Sequence, residues 1–193
     1  MLTNDRYSNY QSPFSERYAS KEMCRLFSDQ YKFSIWRKLW IALAEAEMEL
    51  GLKTITPEQI EEMRRFQDTI NFDRAREFEK KFRHDVMSHV HAYGEQCPKA
   101  RPIIHLGATS AYVQDNTELI QMREGMLIIF TKLVNAVNIL STHAMAYKDQ
   151  PTLSFTHFQS AQPTTVGNRM CLWTQDWVFY IEDLEMRIKG LRF

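Results

Sequence analysis

The residues best suited to chemistry in this sequence are its histidines, and three of them lie close together. His84, His89 and His91 all occur in the segment RHDVMSHVH. On one helix His84 and His91 would share a face, but at about 1.5 Å rise per residue they would stand about 10.5 Å apart. That separation is too long for one metal ion with ligand bonds of about 2 Å. We therefore predict no metal site, and we expect His89 and His91 to be solvated or helix-capping residues.

The triplet Arg83-His84-Asp85 interrupts an apolar helical stripe. Asp85, followed by Ser88, suits a new helix start after a kink. Arg83 and His84 could bind an anion at that N-terminus. A plain surface ion pair explains the same spacing equally well.

Two stretches without any Asp, Glu, Lys or Arg, residues 102–114 and 151–168, hold the other candidates. The first contains Thr109 and Ser110, and uncharged donors beside a helix start suit carboxylate or phosphate binding. The second contains His157 between two phenylalanines. Histidine is the side chain best suited to proton transfer near neutral pH, although a lone histidine beside aromatic rings is also common as a structural residue.

The elements that must position these residues are helices. Apolar residues recur at intervals of three and four, which is typical of helices. This pattern covers residues 33–50, a segment opened by Thr56, residues 72–95, a helix from 115–117 to about 148, and a last helix from near Pro163 to the end. That last pattern shows no stop signal, so we expect the chain to be cut within the helix. Because only residues 103–106 could form a short strand, the sequence predicts an all-α fold.

The break between residues 97 and 116 divides the chain into two parts. Shorter, charged helices precede it and long apolar helices follow it. We therefore predict an N-terminal helical domain at 1–111 and the first part of a long-helix bundle domain at 112–193. The long helix carries apolar residues on two faces, which is typical of a helix buried on several sides in a bundle or an oligomer.

The composition excludes several classes of protein. Lys and Arg total 24 and Asp and Glu total 24, so the net charge is zero, which argues against nucleic-acid binding. Three widely separated cysteines disfavour a disulfide framework. The best candidate for a membrane span, residues 133–147, is polar in part and shorter than the roughly 20 residues that a span requires. The sequence therefore predicts a soluble, cytoplasmic protein that binds neither nucleic acid nor membrane.

Four motifs follow one another along the chain: RYAS at 17–20, RHDVMSHVHAYG at 83–94, HLGATS at 105–110 and THFQSAQPTTVG at 156–167. Together they resemble the adenylosuccinate lyases, a family within the fumarase/aspartase superfamily. The last two motifs alone would indicate the superfamily, and RHDVMSHVH indicates this member of it. The resemblance extends over essentially the whole chain.

The resemblance implies a fold and a reaction. Four subunits pool their long helices into one helical core, so each active site combines segments from more than one subunit of a homotetramer. The reaction is the elimination of fumarate from adenylosuccinate, which gives AMP, and from the succinylated aminoimidazole carboxamide ribotide of purine biosynthesis. The partner is thus a small-molecule substrate, and we expect no cofactor.

The resemblance also implies roles for particular residues. His157 is expected to be the acid that protonates the departing nitrogen, and His84 a second active-site histidine that supports substrate placement. The positions that match substrate-binding residues of the family are Arg17, Tyr18, Arg83, His84, Asp85, Thr109 and Ser110. Because family chains are much longer, the catalytic base is expected beyond Phe193, and these 193 residues alone are expected to be inactive.

Two alternatives stand beside this interpretation. The first is another fumarate-releasing lyase of the superfamily, such as one that acts on argininosuccinate; the triplet Arg83-His84-Asp85 in its full setting argues against it. The second is a non-catalytic helical module that serves only in assembly. The presence of both His84 and His157 disfavours that reading, because a scaffold needs neither.

Overall fold

A computed structural model describes residues 10–192 and consists mainly of helices. A short π-helical turn, Phe14–Tyr18, comes first. The regular elements that follow are α1 Lys21–Leu26, α2 Asp29–Glu49, α3 Pro57–Arg65, α4 Phe72–Phe82, α5 Asp85–Gln96, α6 Ser110–Ala146, β1 Pro151–Thr156, β2 Gln159–Thr165 and α7 Val166–Gly190. The predicted all-α class is confirmed, with the β1–β2 hairpin as an addition.

Local signals in the sequence account for several helix ends. The Ser28 hydroxyl accepts a hydrogen bond from the backbone N–H of Tyr31 and so caps α2. Gly51 follows that helix at φ 95°, a conformation that glycine adopts without strain. At α3, the helix start expected at Thr56 is a capping box formed by Thr56 and Gln59, with Pro57 in the first turn. These starts and stops are therefore set by single side chains.

The predicted helix over residues 72–95 is two helices. Arg83 lies in the left-handed region at φ 54° and ends α4. His84, in extended conformation, caps α5, whose first residue is Asp85. The predicted kink is thus confirmed, but the cap is His84 rather than Asp85.

Three further boundaries differ from the prediction. The long helix begins at Ser110, before the expected start, and residues 103–106 form turns rather than a strand. The strands lie instead at β1 and β2, an antiparallel pair with Pro151 opposite Thr165 and Thr156 opposite Gln159. The last helix begins at Val166 because Pro163 lies in β2, and it ends at Gly190 with Leu191 extended.

The described residues up to Gln121 form one compact unit and those from Met122 form a second. This division falls inside α6, and the domain boundary after residue 111 stays a prediction. The first unit has a contiguous core drawn from α2, α3, α5, the following turns and the start of α6. Its buried members are Trp36, Trp40, Ile41, Ala44, Ile55, Ile60, Met63, Val86, Tyr93, Cys97, Ala100, Ile103, Ile104 and Val113.

The helix α6 is long and apolar enough to cross a membrane by length and composition alone, with a mean hydropathy of 1.5 in its most apolar window. The sequence prediction considered only residues 133–147, a shorter segment, and so missed this property. Only 6% of that window is buried within the chain. The core helix of a soluble protein passes the same test of length and composition.

The expectation that His89 is solvated is wrong. Its ring stacks on Phe33 at 3.7 Å between ring centres, and it meets the edge of Trp36 at 5.5 Å. The side chain is buried in the core of the first unit. Burial, helped by the nearby charges of Arg37 and Lys32, lowers the pKa of His89 to about 4. His91 instead stacks on Phe82 near the surface, at 4.7 Å between ring centres.

The buried His89 predicts a loss of stability in acid. The unfolded chain binds the histidine proton below about pH 6.5, whereas the folded chain does so only near pH 4. Stability should therefore fall as the pH drops from about 7, by about 2 kcal/mol at pH 5 from this group, and level off below pH 4. Urea denaturation of the full-length protein and of His89→Phe, at pH 7 and pH 5, measures the difference. An equal loss of stability in both proteins would contradict the assignment.

Candidate active site

The first turn of α5 is organised by His84. Its Nδ1 accepts a hydrogen bond from the backbone N–H of Met87 at 3.3 Å. Nδ1 is therefore an acceptor, and the neutral ring carries its proton on Nε2. The Nε2 atom lies 3.4 Å from the hydroxyl oxygen of Ser110. Asp85 Oδ1 is 3.6 Å from Nδ1, beyond hydrogen-bonding distance.

Asp85 joins the first turns of α5 and α6. Its Oδ1 accepts from the backbone N–H of Val86 at 2.8 Å, and its Oδ2 accepts from the side-chain amide of Gln114 at 2.9 Å. With the contact between His84 and Ser110, the two helix N-termini meet at two points. Helix N-termini attract anions because their unpaired N–H groups carry partial positive charge.

A second histidine, His105, lies in the turn that leads into α6. Its backbone is left-handed at φ 65°. Its Nδ1 accepts a hydrogen bond from the indole Nε1–H of Trp40 at 3.0 Å. Burial lowers the pKa of His105, and the neighbouring His84 lowers it further. The ring is thus favoured in its neutral form.

His84 approaches Ser110, Asp85 bonds to Gln114, and His105 lies in the turn before Ser110, near enough for His84 to lower its pKa. We call these five residues the His84 cluster. It offers imidazole N–H and hydroxyl donors beside two helix N-termini. Its one carboxylate already accepts two hydrogen bonds. Such a set of donors is suited to binding an anionic group of a small molecule.

The structure positions the other predicted binding residues as follows. Thr109 directly precedes α6 and Arg83 directly precedes His84, and both are exposed. Arg17 and Tyr18 lie on the π-helical turn, with the guanidinium of Arg17 5.5 Å from the ring centre of Tyr18. In the described part of the chain no hydrogen bond or ion pair joins Arg17 or Tyr18 to the His84 cluster.

His157 lies at the tip of the β1–β2 hairpin. His157 and Phe158 are the two turn residues, with φ of 50° and 58°, between the paired residues Thr156 and Gln159. A two-residue hairpin turn with positive φ at both residues usually has the sequence Asn-Gly, because other residues at positive φ cost about 1–2 kcal/mol each. Both side chains are exposed. A strained turn that presents a histidine to solvent points to a functional role for that histidine.

The base of the hairpin is fixed to the end of α6. The backbone N–H of Val166 donates to the carbonyl of Gln150 at 2.9 Å, and that of Gly167 donates to the carbonyl of Tyr147 at 3.0 Å. A Cβ on Gly167 would lie 2.3 Å from the carbonyl oxygen of Ala144. Only glycine permits this approach. Gly167, the last residue of the THFQSAQPTTVG motif, therefore allows the base of the hairpin to pack against the end of α6.

The described part of the chain holds no group of three or more His, Cys, Asp or Glu side chains that could bind a metal ion. Its cysteines are free thiols. Burial raises the pKa of Cys97 to about 12, which leaves that thiol unreactive.

Sequence reasoning assigned no role to His105, Gln114 or Trp40, although His105 opens the HLGATS motif. Gln114 closes the first charge-free stretch, and that stretch was the available signal for it. Trp40 looked like one apolar residue in a helical stripe. Its indole hydrogen bond to a residue 65 positions away is a tertiary contact that periodicity does not reveal.

Comparison with known proteins gives consistent matches to lyases. The adenylosuccinate lyase of Saccharomyces cerevisiae is 51% identical over 181 residues, which are 93% of this chain and 38% of the relative. That of Schistosoma mansoni is 46% identical over 186 residues, which are 96% of this chain and 38% of the relative. The chain thus spans about 38% of the length of these curated relatives.

Solved structures share the fold. The fumarate lyase from Mesorhizobium sp. BNC1 matches with a TM-score of 0.78 at 25% identity, over 93% of this chain and 42% of its own. The 3-carboxy-cis,cis-muconate lactonizing enzyme from Pseudomonas putida matches with a TM-score of 0.81 at 22% identity. The match covers 92% of this chain and 42% of that enzyme's chain. These likenesses confirm the helical fold predicted from the sequence.

A family model described as a lyase matches residues 10–191. The match includes all four motifs on which the predicted resemblance rests, and that resemblance is confirmed. Because the model covers nearly all of the chain, the chain belongs to this lyase family, Lyase_1.

Proposed function

We propose that the protein carrying this chain is an adenylosuccinate lyase. It eliminates fumarate from adenylosuccinate to give AMP, and from the succinylated aminoimidazole carboxamide ribotide in purine biosynthesis. The observation that carries this proposal is 51% and 46% identity, over 93% and 96% of this chain, to relatives named adenylosuccinate lyase. The identity to a fumarate lyase of similar fold is only 25%.

In the proposed reaction the bond between the succinyl carbon and the nitrogen breaks. A base takes a proton from the adjacent succinyl carbon, which lies next to a carboxylate, and the electron pair of that C–H bond forms the double bond of fumarate. His157 gives a proton to the departing nitrogen. The exposed position of His157 at the hairpin tip supports this role. We assign no base among the described residues.

The His84 cluster, with Arg83 and Thr109 beside it, would hold an anionic part of the substrate. Its N–H and O–H donors at two helix N-termini support this assignment. His84 would orient the substrate rather than react with it, because its Nδ1 is engaged by the backbone of α5. Arg17 and Tyr18 remain proposed substrate-binding residues on a segment of their own.

Loss of the Ser110 hydroxyl should weaken binding. Ser110→Ala in the full-length protein removes a donor to an anionic group and leaves the fold of α6 intact. We expect kcat/KM to fall by a factor corresponding to about 1–3 kcal/mol. Ser110→Thr keeps the hydroxyl and should restore most of the loss. An unchanged kcat/KM in Ser110→Ala would count against this contact.

We further propose that the protein is a homo-oligomer, expected to be a tetramer, assembled through α6 and α7. Large apolar side chains on these helices are exposed within the chain, among them Met122, Ile129, Ile139, Leu172, Trp173 and Phe179. Burying each such side chain would contribute about 1.5–3 kcal/mol. Exposed apolar surface on this scale is typical of an interaction site.

The oligomer proposal predicts a mass in solution. Light scattering coupled to size exclusion should give a multiple of the chain mass for the full-length protein, and Ile139→Glu should lower that mass. Lys189→Glu, at the polar end of α7, serves as a control for added negative charge. A stable monomer, or recovery of the protein only with membranes, would contradict the proposal.

The proposed location is the cytoplasm. Free cysteines at positions 24, 97 and 171 fit a reducing compartment.

A substrate panel tests the proposed function. The full-length protein should release fumarate from adenylosuccinate and from the succinylated imidazole ribotide with kcat/KM at least about a hundredfold above that for argininosuccinate. Preference for argininosuccinate would support a different lyase of the superfamily. No turnover of any of them by a correctly assembled protein would support a non-catalytic assembly module.

A further inference from the structure

We propose that Trp40 is a positioning residue that holds His105 with its proton on Nε2, so that His105 serves as a hydrogen-bond donor in the His84 cluster. The part of this proposal that concerns substrate binding rests on the proposed function. The part that concerns the protonation of His105 stands on the structure of the first unit alone.

The indole of Trp40 is held rigidly. Its side chain is only 1% exposed. Its ring stacks on Tyr93 at 6.1 Å between ring centres and meets the edge of His105 at 5.9 Å. The direction of its N–H bond is therefore set by core packing in α2 and α5, rather than by the loop that contains His105.

The chemistry of the two rings then fixes the tautomer. An indole nitrogen can only donate a hydrogen bond. Its partner at 3.0 Å is Nδ1 of His105, which must therefore present a lone pair. A proton on Nδ1 would bring two donors face to face and lose this bond. The neutral ring thus carries its proton on Nε2, and a positive imidazolium ring is disfavoured.

The surroundings of His105 also favour the neutral form of its ring. Within the part of the chain that the structure describes, titratable groups near this turn include His84 before α5, Glu47 on α2 and Tyr112 on α6. His84 and burial both lower the pKa of His105. Glu47 Oε1 lies 3.6 Å from the position of a Cβ on Gly107, and Tyr112 donates its hydroxyl hydrogen to the carbonyl of Leu39. Burial raises the pKa of Glu47, which opposes a negative charge beside this turn.

In both His105 and His84, the Nδ1 atom accepts a hydrogen bond from an N–H donor of the protein. There the backbone N–H of Met87 engages Nδ1, and at His105 the indole of Trp40 does so. Both rings therefore offer Nε2–H, which suits an anionic ligand. The opposite tautomer would turn a lone pair toward the anion and repel it. Trp40 thus acts on the ligand through His105, without touching the ligand itself.

Nitrogen NMR tests the tautomer without reference to activity. Solid-state ¹⁵N spectra of histidine-labelled full-length protein, with His105 assigned from the His105→Gln difference spectrum, should show an unprotonated Nδ1 and a protonated Nε2. Trp40→Phe removes the donor and keeps an aromatic ring, and should redistribute the proton between the two nitrogens. Trp36→Phe is the matched control, because Trp36 is a buried neighbour whose indole nitrogen has no hydrogen-bond partner among the described residues. A proton on Nδ1 of His105 in the wild-type protein would overturn the proposal even if Trp40→Phe failed to fold.

Kinetics test the consequence for binding. Trp40→Phe should lower kcat/KM about tenfold, mostly through KM, as for a lost bond to a charged group. The acid limb of its pH profile should move toward neutral pH, because the neutral form of His105 has lost a stabilising bond. His105→Gln, which carries an N–H donor near the position of Nε2, should retain more activity than His105→Asn and should abolish the effect of Trp40→Phe. Equal activity of these two His105 variants, with a normal pH profile in Trp40→Phe, would refute the binding role while leaving the proposed lyase activity intact.

Discussion

Replacing His157 with alanine in the full-length protein is expected to lower kcat by about a hundredfold or more. The departing nitrogen needs a proton as its bond to carbon breaks, and the substitution removes the proposed donor. KM should change much less, because the exposed histidine contributes to the transition state rather than to ground-state binding. Initial rates of fumarate release over a range of substrate concentrations separate the two effects.

Two further observations would distinguish lost chemistry from lost structure in His157→Ala. His143→Ala removes an exposed histidine from the same unit, on α6, and should keep kcat within a few-fold of wild type. Added imidazole should restore part of the activity of His157→Ala, because the turn is open to solvent. A kcat within a few-fold of wild type in His157→Ala itself would remove this residue from the mechanism.

Adding one methyl group at Gly167 should strongly destabilise the protein. The new Cβ would meet backbone atoms in the last turn of α6 and just after it, at 2.3 Å from the carbonyl oxygen of Ala144 and 2.7 Å from the Cα of Lys148. Backbone cannot rotate away as a side chain can, so the hairpin and the start of α7 must move. We expect Gly167→Ala to cost about 3 kcal/mol or more in the free energy of unfolding.

The close packing at Gly167 can be tested by comparison with Gly190, a glycine that has open space around it. Gly190 ends α7 and a Cβ there would meet nothing within 4 Å. Gly190→Ala should be neutral or should stabilise the helix by up to about 1 kcal/mol. Urea denaturation compares the two variants, and the fumarate assay should show a fall in kcat only for Gly167→Ala, whose hairpin carries His157. Equal stability of the two variants would show that the close approach at Gly167 does not hold the hairpin.

Local side-chain chemistry made the helices of the first unit predictable. The capping box at Thr56 and Gln59, and the stop at Gly51, depend on residues next to one another in sequence. The hairpin could not be predicted in the same way. Its turn is His157-Phe158, which lacks the Asn-Gly signature of a tight turn, and Pro163 within β2 argued for a helix start.

The candidate site was predictable only in part, because some of its contacts join residues that are far apart in sequence. The motifs identified His84, Asp85 and Ser110, and the structure brings His84 to Ser110 and joins Asp85 to Gln114 of the same helix as Ser110. The prediction that His89 is solvated was wrong because the periodic pattern does not show tertiary contacts. A polar residue on a helix is buried when an aromatic residue distant in sequence, here Phe33, packs on it. The hydrogen bond between Trp40 and His105 likewise depends on two elements meeting in space.

The measurement that tests the central claim most directly is product analysis of adenylosuccinate incubated with the purified full-length protein. Proton NMR follows substrate and products in one sample. If the chain carries the proposed acid and substrate-binding residues of a fumarate-releasing active site, AMP and fumarate should appear in equal amounts as adenylosuccinate disappears, and His157→Ala should slow both together. Unchanged adenylosuccinate in the presence of a folded, assembled protein would contradict the account.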